Sequence, residues 1–314
     1  MPELPEVQTT VAGLAKVLPG LRITDVWTDL AVKTHTTPHL SQSLKDKNFF
    51  KKFKQILVGS KVVSVERRAK NILINLANKE TILIHMKMTG HLMVGKYTKV
   101  ENKKTKTFWQ PATSEKNDAL RDPYNKYLHV VFSLSNDKQL VLSDARKFAK
   151  VTLAPTEKIA TSIHLGHLGP EPLEKKFTFK EFKLRLTKRP RGKIKEVLMN
   201  QSVIAGIGNI YSDEMLWLSG IHPASIAKEI PPKYLQILYT AMQKVLHQGI
   251  DFGGDSTSDY RDIDGKRGKF QHHHNVYRMA GKTCSKKDCT GKIIRMIIGG
   301  RSAHFCNTHQ KMLK

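Results

Sequence analysis

The 314-residue chain is long enough for two domains, each with its own core, and its 39% hydrophobic content suffices for globular folding. Its 53 Lys and Arg residues against 27 Asp and Glu give a formal net charge of +26, which indicates a polyanionic partner such as nucleic acid. No apolar run approaches the length of a membrane-spanning helix, and from this sequence we expect neither a secretory leader nor a lipid anchor. We therefore expect a reducing compartment that contains nucleic acid rather than a membrane.

The amino terminus reads MPELPE, and its small second residue favours removal of Met1. Pro2 would then be a terminal secondary amine, and terminal amines are partly unprotonated near neutral pH. Attack of such an amine on a sugar aldehyde carbon gives an iminium that is cationic without a proton, which is a form of covalent catalysis. Glu3 is a candidate general acid or base beside it, and Glu6 is a second carboxylate.

The same segment also has the features of an ordinary helix start. Pro5 and Glu6 are typical first-turn residues, and the apolar positions 7, 11, 14 and 18 share one helical face before the Pro-Gly break at 19–20. A structural role for these residues therefore stays open beside the catalytic one.

Strand patterns follow the first helix. They cover 21–28, 57–67, 70–77, 81–88, 128–135, Gln139–Ser143 and 148–154. Short strands with turns between them predict a β-sandwich or flattened barrel. The polar, lysine-rich stretch 95–127 interrupts this pattern, and we interpret it as a long surface insertion.

Two turns in this region concentrate positive charge. Residues 67–70 read RRAK, and residues 144–148 read DARKF, where an aromatic side chain follows two cations. A basic patch beside an aromatic is what a DNA-unstacking wedge requires, although a solvated charge cluster would have the same composition.

A turn-rich linker at 155–172 precedes a helical region. Helices are predicted over 193–201, 210–219 and 231–249, and the apolar turn between the first two contains Gly206, Gly208 and Asn209. Such a turn can direct backbone amides and an Asn side chain at a phosphate, and a plain helical hairpin is the alternative. The polar, glycine-containing stretch 253–271 predicts a mobile loop that could cover a bound base.

All three cysteines of the chain lie near its carboxyl end. Cys284, Cys289, Cys306 and His309 form the pattern C-x4-C-x16-C-x2-H, which suits one structural Zn²⁺ ion. His304 or the histidines at 272–274 are alternative fourth ligands. The run 292–298, a Gly-Gly turn and the run 301–305 predict a hairpin with Arg301 at its tip.

In this order along the chain, the motifs resemble the bacterial formamidopyrimidine-DNA glycosylase family, which removes oxidised purines from DNA. The resemblance spans nearly the whole length and rests on MPELPEV at the start, RRAK at 67–70, HLGPEPL at 167–173, AGIGNIYSDE at 205–214 and the terminal hairpin. It implies an α+β fold: an N-terminal β-sandwich with an N-terminal helix, a helix–two-turns–helix domain and a C-terminal zinc-finger β-hairpin. We expect a catalytic sandwich over 1–154, a linker over 155–175, a DNA-binding domain over 176–275 and the zinc hairpin over 276–314.

The resemblance also implies roles for individual residues. Pro2 would be the nucleophile at C1′ and Glu3 the proton donor and acceptor at the sugar, with β- and δ-elimination after base loss. The implied catalytic group is Pro2, Glu3, Lys70 and Arg301, in which the last two bind phosphate as Asn209 does. The implied DNA-contacting group is Glu6, Met88, Arg146, Phe148, Lys195, Asn209 and Glu214. Among these, Met88, Arg146 and Phe148 would fill the space left by an extruded nucleotide. Zinc would be structural, since the chemistry itself needs no metal.

The chain departs from the family pattern in several places. The family usually carries C-x2-C-x16-C-x2-C, whereas here the first gap is four residues and the last ligand is His309. The family's DPRRFG is DARKFA here, which keeps Arg146 and Phe148 but loses a proline and a glycine. The insertion at 95–127 is longer than the family pattern predicts, and 253–271 contains no readable base-recognition residue.

Two other functions stay open. An oxidised-pyrimidine glycosylase of the endonuclease VIII type usually starts PEGP, and Leu4 argues against it. A non-catalytic binder of damaged or abasic DNA would lack a working nucleophile; intact Pro2 and Glu3 argue against it unless Met1 is retained. The resemblance favours a base-excision-repair glycosylase and AP lyase, a monomer with one structural Zn²⁺, acting on double-stranded DNA in the bacterial cytoplasm at the nucleoid.

Overall fold

The computed structural model of the chain describes residues 1–101 and 107–313, without the side chains of residues 38 and 39. These residues divide into two compact units. Unit 1 comprises Met1–Pro2, Glu6–Leu165 and Gly253–Gly268, and unit 2 comprises Glu3–Pro5, Gly166–Phe252 and Lys269–Lys314. The four-part division at residues 154, 175 and 275 remains a prediction.

Unit 1 is built on antiparallel strands. They are β1 (Ile23–Thr28), β2 (Val62–Arg68), β3 (Asn71–Leu76), β4 (Glu80–His85), β5 (His91–Gly95), β6 (Tyr97–Val100), β7 (Phe108–Pro111), β8 (Leu128–Leu134), β9 (Gln139–Ser143) and β10 (Lys150–Pro155). One four-stranded sheet has the order β1-β8-β9-β5, and a second has the order β10-β4-β3-β2. Apolar side chains of both sheets, among them Ile72, Ile84, Phe132 and Leu142, share one core, so the predicted sandwich is confirmed.

Three helices flank this sandwich in sequence: α1 (Leu4–Val17), α2 (Pro38–Ser41) and α3 (Lys47–Leu57). The apolar positions 7, 11, 14 and 18 enter the sandwich core, as their helical spacing predicted. Helix α3 was not predicted; Asp46 caps it by accepting the Phe49 amide at 2.8 Å, and Phe53 and Leu57 are buried. The predicted strand 57–67 therefore begins too early.

The insertion covers the outer face of the first sheet. Tyr97 and Leu120 from the insertion form a second small core with Met93, Val131 and Val141 of the sheet. Strands β8 and β9 are consequently buried on both faces. The part of the predicted insertion at 102–106 lies outside the described residues.

Unit 2 contains α4 (Phe179–Leu186), α5 (Ile194–Met199), α6 (Asn209–Ser219), α7 (Pro232–Asp251) and the hairpin β11 (Ile293–Ile298) and β12 (Arg301–Cys306). The helices share an apolar core that includes Leu198, Met215 and Leu246. Gly299 and Gly300 both adopt positive φ, +55° and +71°, which a two-residue hairpin turn of the primed type requires. Within the described part of the chain, no helix combines the length and apolar character needed to cross a membrane.

Candidate active site

Glu3 is a buried carboxylate at the amino end of α6. Its Oε1 accepts a hydrogen bond from the Ile210 amide at 3.0 Å, and its Oε2 accepts one from the Tyr211 amide at 3.4 Å. The N-cap residue Gly208 has no side chain to offer, so Glu3 supplies the cap from a distant part of the sequence. The helix amino terminus also stabilises the negative charge of this carboxylate.

Two glycines of the AGIGN turn make room for residues 3 and 4. A Cβ on Gly208 would lie 2.3 Å from Glu3 Cδ, and a Cβ on Gly206 would lie 2.7 Å from Leu4 Cδ1. Gly206 also adopts φ +89°, and its carbonyl accepts the Leu4 amide at 3.0 Å. The turn therefore seats the amino-terminal segment, a role that was not predicted for it.

Lys195 is fully buried on α5 and forms an ion pair with Asp213 of α6. Burial lowers the pKa of Lys195, and attraction to Asp213 and, more weakly, to Glu3 opposes that shift. Asp213 Oδ2 also accepts the His304 amide at 3.0 Å and lies 3.1 Å from His304 Nδ1. Asp213 thus connects two helices with the hairpin. It was not predicted as a site residue, although the AGIGNIYSDE motif contains it.

Two further predicted residues lie on α6. Asn209 is the first residue of the helix, and its half-buried side chain leaves Oδ1 without a hydrogen-bond partner among the described residues. Glu214 is buried, and its carboxylate accepts the amides of Asn275, Val276 and Tyr277 at 2.9–3.1 Å. Glu214 therefore anchors the segment that leads into the cysteine-bearing region.

Arg301 is exposed directly after the glycine turn of the hairpin. This turn lies beside α5, because a Cβ on Gly299 would come within 2.3 Å of Glu196 Oε1. The hairpin tip and the buried Lys195 therefore belong to neighbouring elements of unit 2.

The three cysteines converge at the base of the hairpin. The sulfur atoms of Cys284, Cys289 and Cys306 all lie within 4.8 Å of one another. Each sulfur accepts an N–H: Cys284 from the Trp217 indole at 3.3 Å, Cys289 from Gly291 at 3.4 Å and Cys306 from His309 at 3.4 Å. Three converging thiols with N–H donors directed at them fit a metal ion, so this cluster could hold one.

His309 is placed differently from the thiols. Its Nε2 donates to the Trp217 carbonyl at 2.8 Å, and its ring meets the Trp217 ring edge-on with centroids 5.7 Å apart. In the part of the chain that the structure describes, the ligand atoms within 4.8 Å of one another are the three sulfurs, without a nitrogen of His309. The structure therefore does not bring His309 into the cluster, and the predicted four-ligand set stays a prediction.

Unit 1 holds three further predicted site residues, namely Pro2, Glu6 and Lys70. Pro2 is buried, whereas Met1 is 37% exposed. Glu6 is buried, and its Oε1 accepts the Asp255 amide at 2.8 Å. Lys70 is 5% exposed in the tight turn between β2 and β3, where the preceding Ala69 adopts φ +54°.

The proposed wedge residues lie on two adjoining turns of unit 1. Met88 and Phe148 are 36% and 49% exposed, and the Arg146 guanidinium lies 4.5 Å from the Phe148 ring centroid. Thr89 joins the turns: its hydroxyl donates to Asp144, and its Oγ1 accepts the Arg146 amide at 3.2 Å. The structure therefore joins the two turns that carry Met88, Arg146 and Phe148 without the proline and glycine that the family pattern has here.

One unit of the chain is a β-sandwich, and the other combines a buried carboxylate that caps a helix after two glycine turns with a cysteine-bearing hairpin; this combination defines a helix–two-turns–helix DNA glycosylase. The profile of the formamidopyrimidine-DNA glycosylase N-terminal domain matches residues 1–151, and that of the formamidopyrimidine-DNA glycosylase H2TH domain matches residues 168–261. The chain belongs to the formamidopyrimidine-DNA glycosylase family, which confirms the resemblance seen in the sequence.

Individual relatives are similar over the full length. The formamidopyrimidine-DNA glycosylase of Pelotomaculum thermopropionicum is 36% identical over 99% of this chain and 100% of the relative. That of Chloroflexus aurantiacus is 35% identical over 99% and 98%. A crystal structure of the Lactococcus lactis Fpg with an abasic site containing DNA has a TM-score of 0.78 at 26% identity, covering 98% of this chain and 99% of that one. A mutant of the same protein with a Fapy-dG containing DNA has a TM-score of 0.79 at 27% identity, covering 99% and 100%.

Proposed function

We propose that the protein is a bifunctional DNA glycosylase and AP lyase of base excision repair that removes oxidised purines from double-stranded DNA. The observation that carries the proposal is the buried Glu3 carboxylate, which α6 holds in place directly after Pro2 in the chain. The Fapy-dG and abasic-site DNA in the Lactococcus lactis complexes support this substrate class.

The reaction begins once Met1 has been removed. The Pro2 nitrogen attacks C1′ of the damaged nucleotide and gives up its proton, and the base departs with the electron pair of its glycosidic bond and takes up one proton. Glu3 protonates the sugar ring oxygen as the ring opens, which leaves an iminium between Pro2 and C1′. The Glu3 carboxylate then accepts the C2′ proton, β-elimination releases the 3′ phosphate, and δ-elimination releases the 5′ phosphate. Lys195 contributes a buried positive charge that stabilises the Glu3 carboxylate.

The DNA contacts follow from the need to expose C1′. The sugar carbon is inaccessible inside the base stack, so the nucleotide must be extruded. Met88 and Phe148 are exposed apolar side chains that would fill the vacated space, and Arg146 can hydrogen-bond the orphaned partner base. Lys70, Asn209 and Arg301 would bind the phosphates on either side of the extruded nucleotide.

We propose that the cysteine cluster holds one structural Zn²⁺ ion. Cys284, Cys289 and Cys306 supply three thiolates, and His309 is the fourth ligand that we propose. Its Nε2–H donates to the Trp217 carbonyl, the outer contact typical of metal-bound histidine, which leaves Nδ1 as the free lone pair. The bound ion fixes the base of the hairpin and takes no part in the chemical steps. We place the protein in the bacterial cytoplasm at the nucleoid, because its substrate is chromosomal DNA.

The experiment is borohydride trapping on a duplex with one 8-oxoguanine. We expect a covalent adduct that peptide mapping assigns to Pro2, with Met1 absent from the intact mass. Pro2→Gly should trap less efficiently, because a primary amine replaces the secondary one. Glu3→Gln should slow base release and strand cleavage by about 100-fold, because the proton donor is lost.

A second duplex with a preformed abasic site separates the outcomes. An adduct with the abasic site but none with 8-oxoguanine would keep the lyase chemistry and overturn the proposed lesion. Full activity of Pro2→Gly would overturn Pro2 as the nucleophile. No adduct with either duplex would overturn the covalent chemistry as a whole and favour a non-catalytic binder of damaged DNA.

A further inference from the structure

Residues Gly253–Gly268 form a closed loop within unit 1, here called the Ω-loop. Its ends meet: a Cβ on Gly253 would lie 3.8 Å from the Gly268 Cα, and a Cβ on Gly268 would lie 2.2 Å from the Gly254 carbonyl oxygen. Tyr260 and Arg261 inside the loop are only 4% and 2% exposed. The polar composition that predicted a mobile loop instead supplies hydrogen-bonding partners for the rest of unit 1.

One side of the Ω-loop is bonded to α1. The Asp255 amide donates to Glu6 Oε1 at 2.8 Å, and the Tyr260 hydroxyl donates to the Glu6 carbonyl at 3.0 Å. Ile263 packs on α1 so closely that a Cβ on Gly13 would come within 2.9 Å of it. The loop therefore fixes both the backbone and the carboxylate of Glu6.

The other side of the Ω-loop is bonded to residues 115–125 of the insertion, here called the clamp. Asn117 Nδ2 donates to the Asp264 carbonyl at 2.7 Å, and Asn125 Nδ2 donates to the Gly265 carbonyl at 3.3 Å. Asn125 Oδ1 in turn accepts from His91 Nε2 at 2.8 Å. Burial lowers the pKa of His91 to about 4, so this ring is a neutral donor near pH 7.

Arg261 is the strongest link between the two segments. Its Nη1 donates to the carbonyls of Ser258 and Tyr260 at 3.0 and 2.9 Å, which shapes the loop internally. Its Nη2 lies 3.2 Å from both carboxylate oxygens of Asp122, and its guanidinium lies 4.7 Å from the Tyr124 ring centroid. A guanidinium buried this deeply needs its anionic partner, since an uncompensated buried charge is strongly destabilising.

Glu6 links the Ω-loop and the clamp to the nucleophile Pro2. It lies four residues after Pro2, and a chain of that length spans at most about 14 Å. A base attached to the carbon that Pro2 attacks therefore lies within about this reach of Glu6 and of the loop segment bonded to it. A loop already fixed before the base arrives loses less conformational entropy on binding than a mobile one.

We propose that the clamp holds the Ω-loop in its base-receiving conformation, which makes Asp122 and Arg261 positioning residues for excision of the damaged base. This inference rests on the proposed glycosylase function. An abasic site offers no base to receive, so strand cleavage at a preformed abasic site does not need the clamp.

The test is Asp122→Asn, which keeps an oxygen to accept the Tyr124 amide but removes the charge beside Arg261. We expect single-turnover excision of 8-oxoguanine to slow by about 10- to 100-fold. Cleavage of a preformed abasic duplex should stay within about twofold of wild type, and amide hydrogen exchange across residues 255–267 should accelerate. Arg261→Gln also removes the two donations inside the loop, so it should slow excision at least as much as Asp122→Asn. The double variant should be no worse than Arg261→Gln alone, because Asp122 acts through Arg261.

The matched control is Asp118→Asn, which removes an exposed Asp–Arg pair within the same clamp, with Arg121 at 3.0 Å. It should leave excision, abasic cleavage and exchange unchanged. Unchanged excision in Asp122→Asn, or an equal loss of excision and abasic cleavage, would overturn the positioning role. If the wild type cleaved neither duplex, the proposed glycosylase function would fail. Unaltered exchange in Asp122→Asn would show separately that the clamp does not hold the loop.

Discussion

Single residues decide where the amino terminus can sit. Glu3 caps α6 only because Gly208 has no side chain, and Leu4 reaches the Gly206 carbonyl only because that residue also lacks one. The chemistry proposed for Pro2 and Glu3 therefore depends on two glycines about 200 residues further along the chain.

Gly208→Ala is the sharpest test of this dependence. The added methyl would lie 2.3 Å from Glu3 Cδ, so either the carboxylate or the turn must move. We expect strand cleavage at an abasic site to slow by about 100-fold, measured in single turnovers. Gly59→Ala is the control: that residue has φ +87° and open space around it, so the substitution adds backbone strain without displacing a neighbour. Equal rates for Gly208→Ala and wild type would show that the Glu3 position is not needed.

Residue identities were predictable from the sequence where a motif names them, and not where their role depends on a distant partner. Glu3, Lys70 and Asn209 lie within recognisable motifs. Asp213 lies within one too, but its partners are 18 and 91 residues away, so nothing local marks it as the link between Lys195 and the hairpin. The Arg261–Asp122 pair spans 139 residues and is equally invisible in the sequence.

At the scale of elements, local signals predicted the pieces that carry their own turn chemistry. The terminal hairpin was predictable because a Gly-Gly turn separates two β-rich runs, and α1 because its apolar positions repeat at helical spacing. Helix α3 was missed although its signal is local, since Phe49, Phe53 and Leu57 share one helical face and Asp46 caps the helix. Strands β6 and β7 were missed because they cover the face of another sheet, and no periodicity in the sequence reports such a contact.

Metal binding at the hairpin base makes a prediction at this scale. Removal of Zn²⁺ by a chelator should free the sulfur atoms and loosen the hairpin, which weakens binding to damaged duplex DNA. The Trp217 indole donates to Cys284 Sγ, so its fluorescence should change with metal loss and recover when Zn²⁺ is restored. Trp27 and Trp109 contact each other in unit 1 and also fluoresce. The Trp217→Phe variant retains only these two tryptophans, so its spectrum gives their contribution for subtraction. Tight DNA binding by fully chelated protein would refute the structural role of the metal.

Charge acts at the scale of the whole molecule. A net charge of +26 predicts strong, salt-dependent attraction to any polyanion, but composition cannot say which cations touch phosphate. The structure distinguishes the candidate cations by their exposure. Lys70 is 5% exposed in a strained turn, whereas Arg301 is exposed at a hairpin tip. A long-range attractive field suits an enzyme that must scan DNA without sequence preference.

The salt dependence of binding distinguishes a phosphate contact from this general field. Arg301→Ala should weaken binding to damaged duplexes of any sequence and reduce the slope of log K against log salt by about 1, because one fewer counterion is released. Arg295→Ala is the control, because it removes the same charge from the same hairpin. Arg295 lies opposite His304 in the strand register, away from the tip, and its Nε donates to Ser302 Oγ at 2.9 Å. We expect Arg295→Ala to lower affinity slightly and to keep the wild-type slope. Equal slopes for all three proteins would mean that Arg301 contributes only to the overall field and makes no phosphate contact.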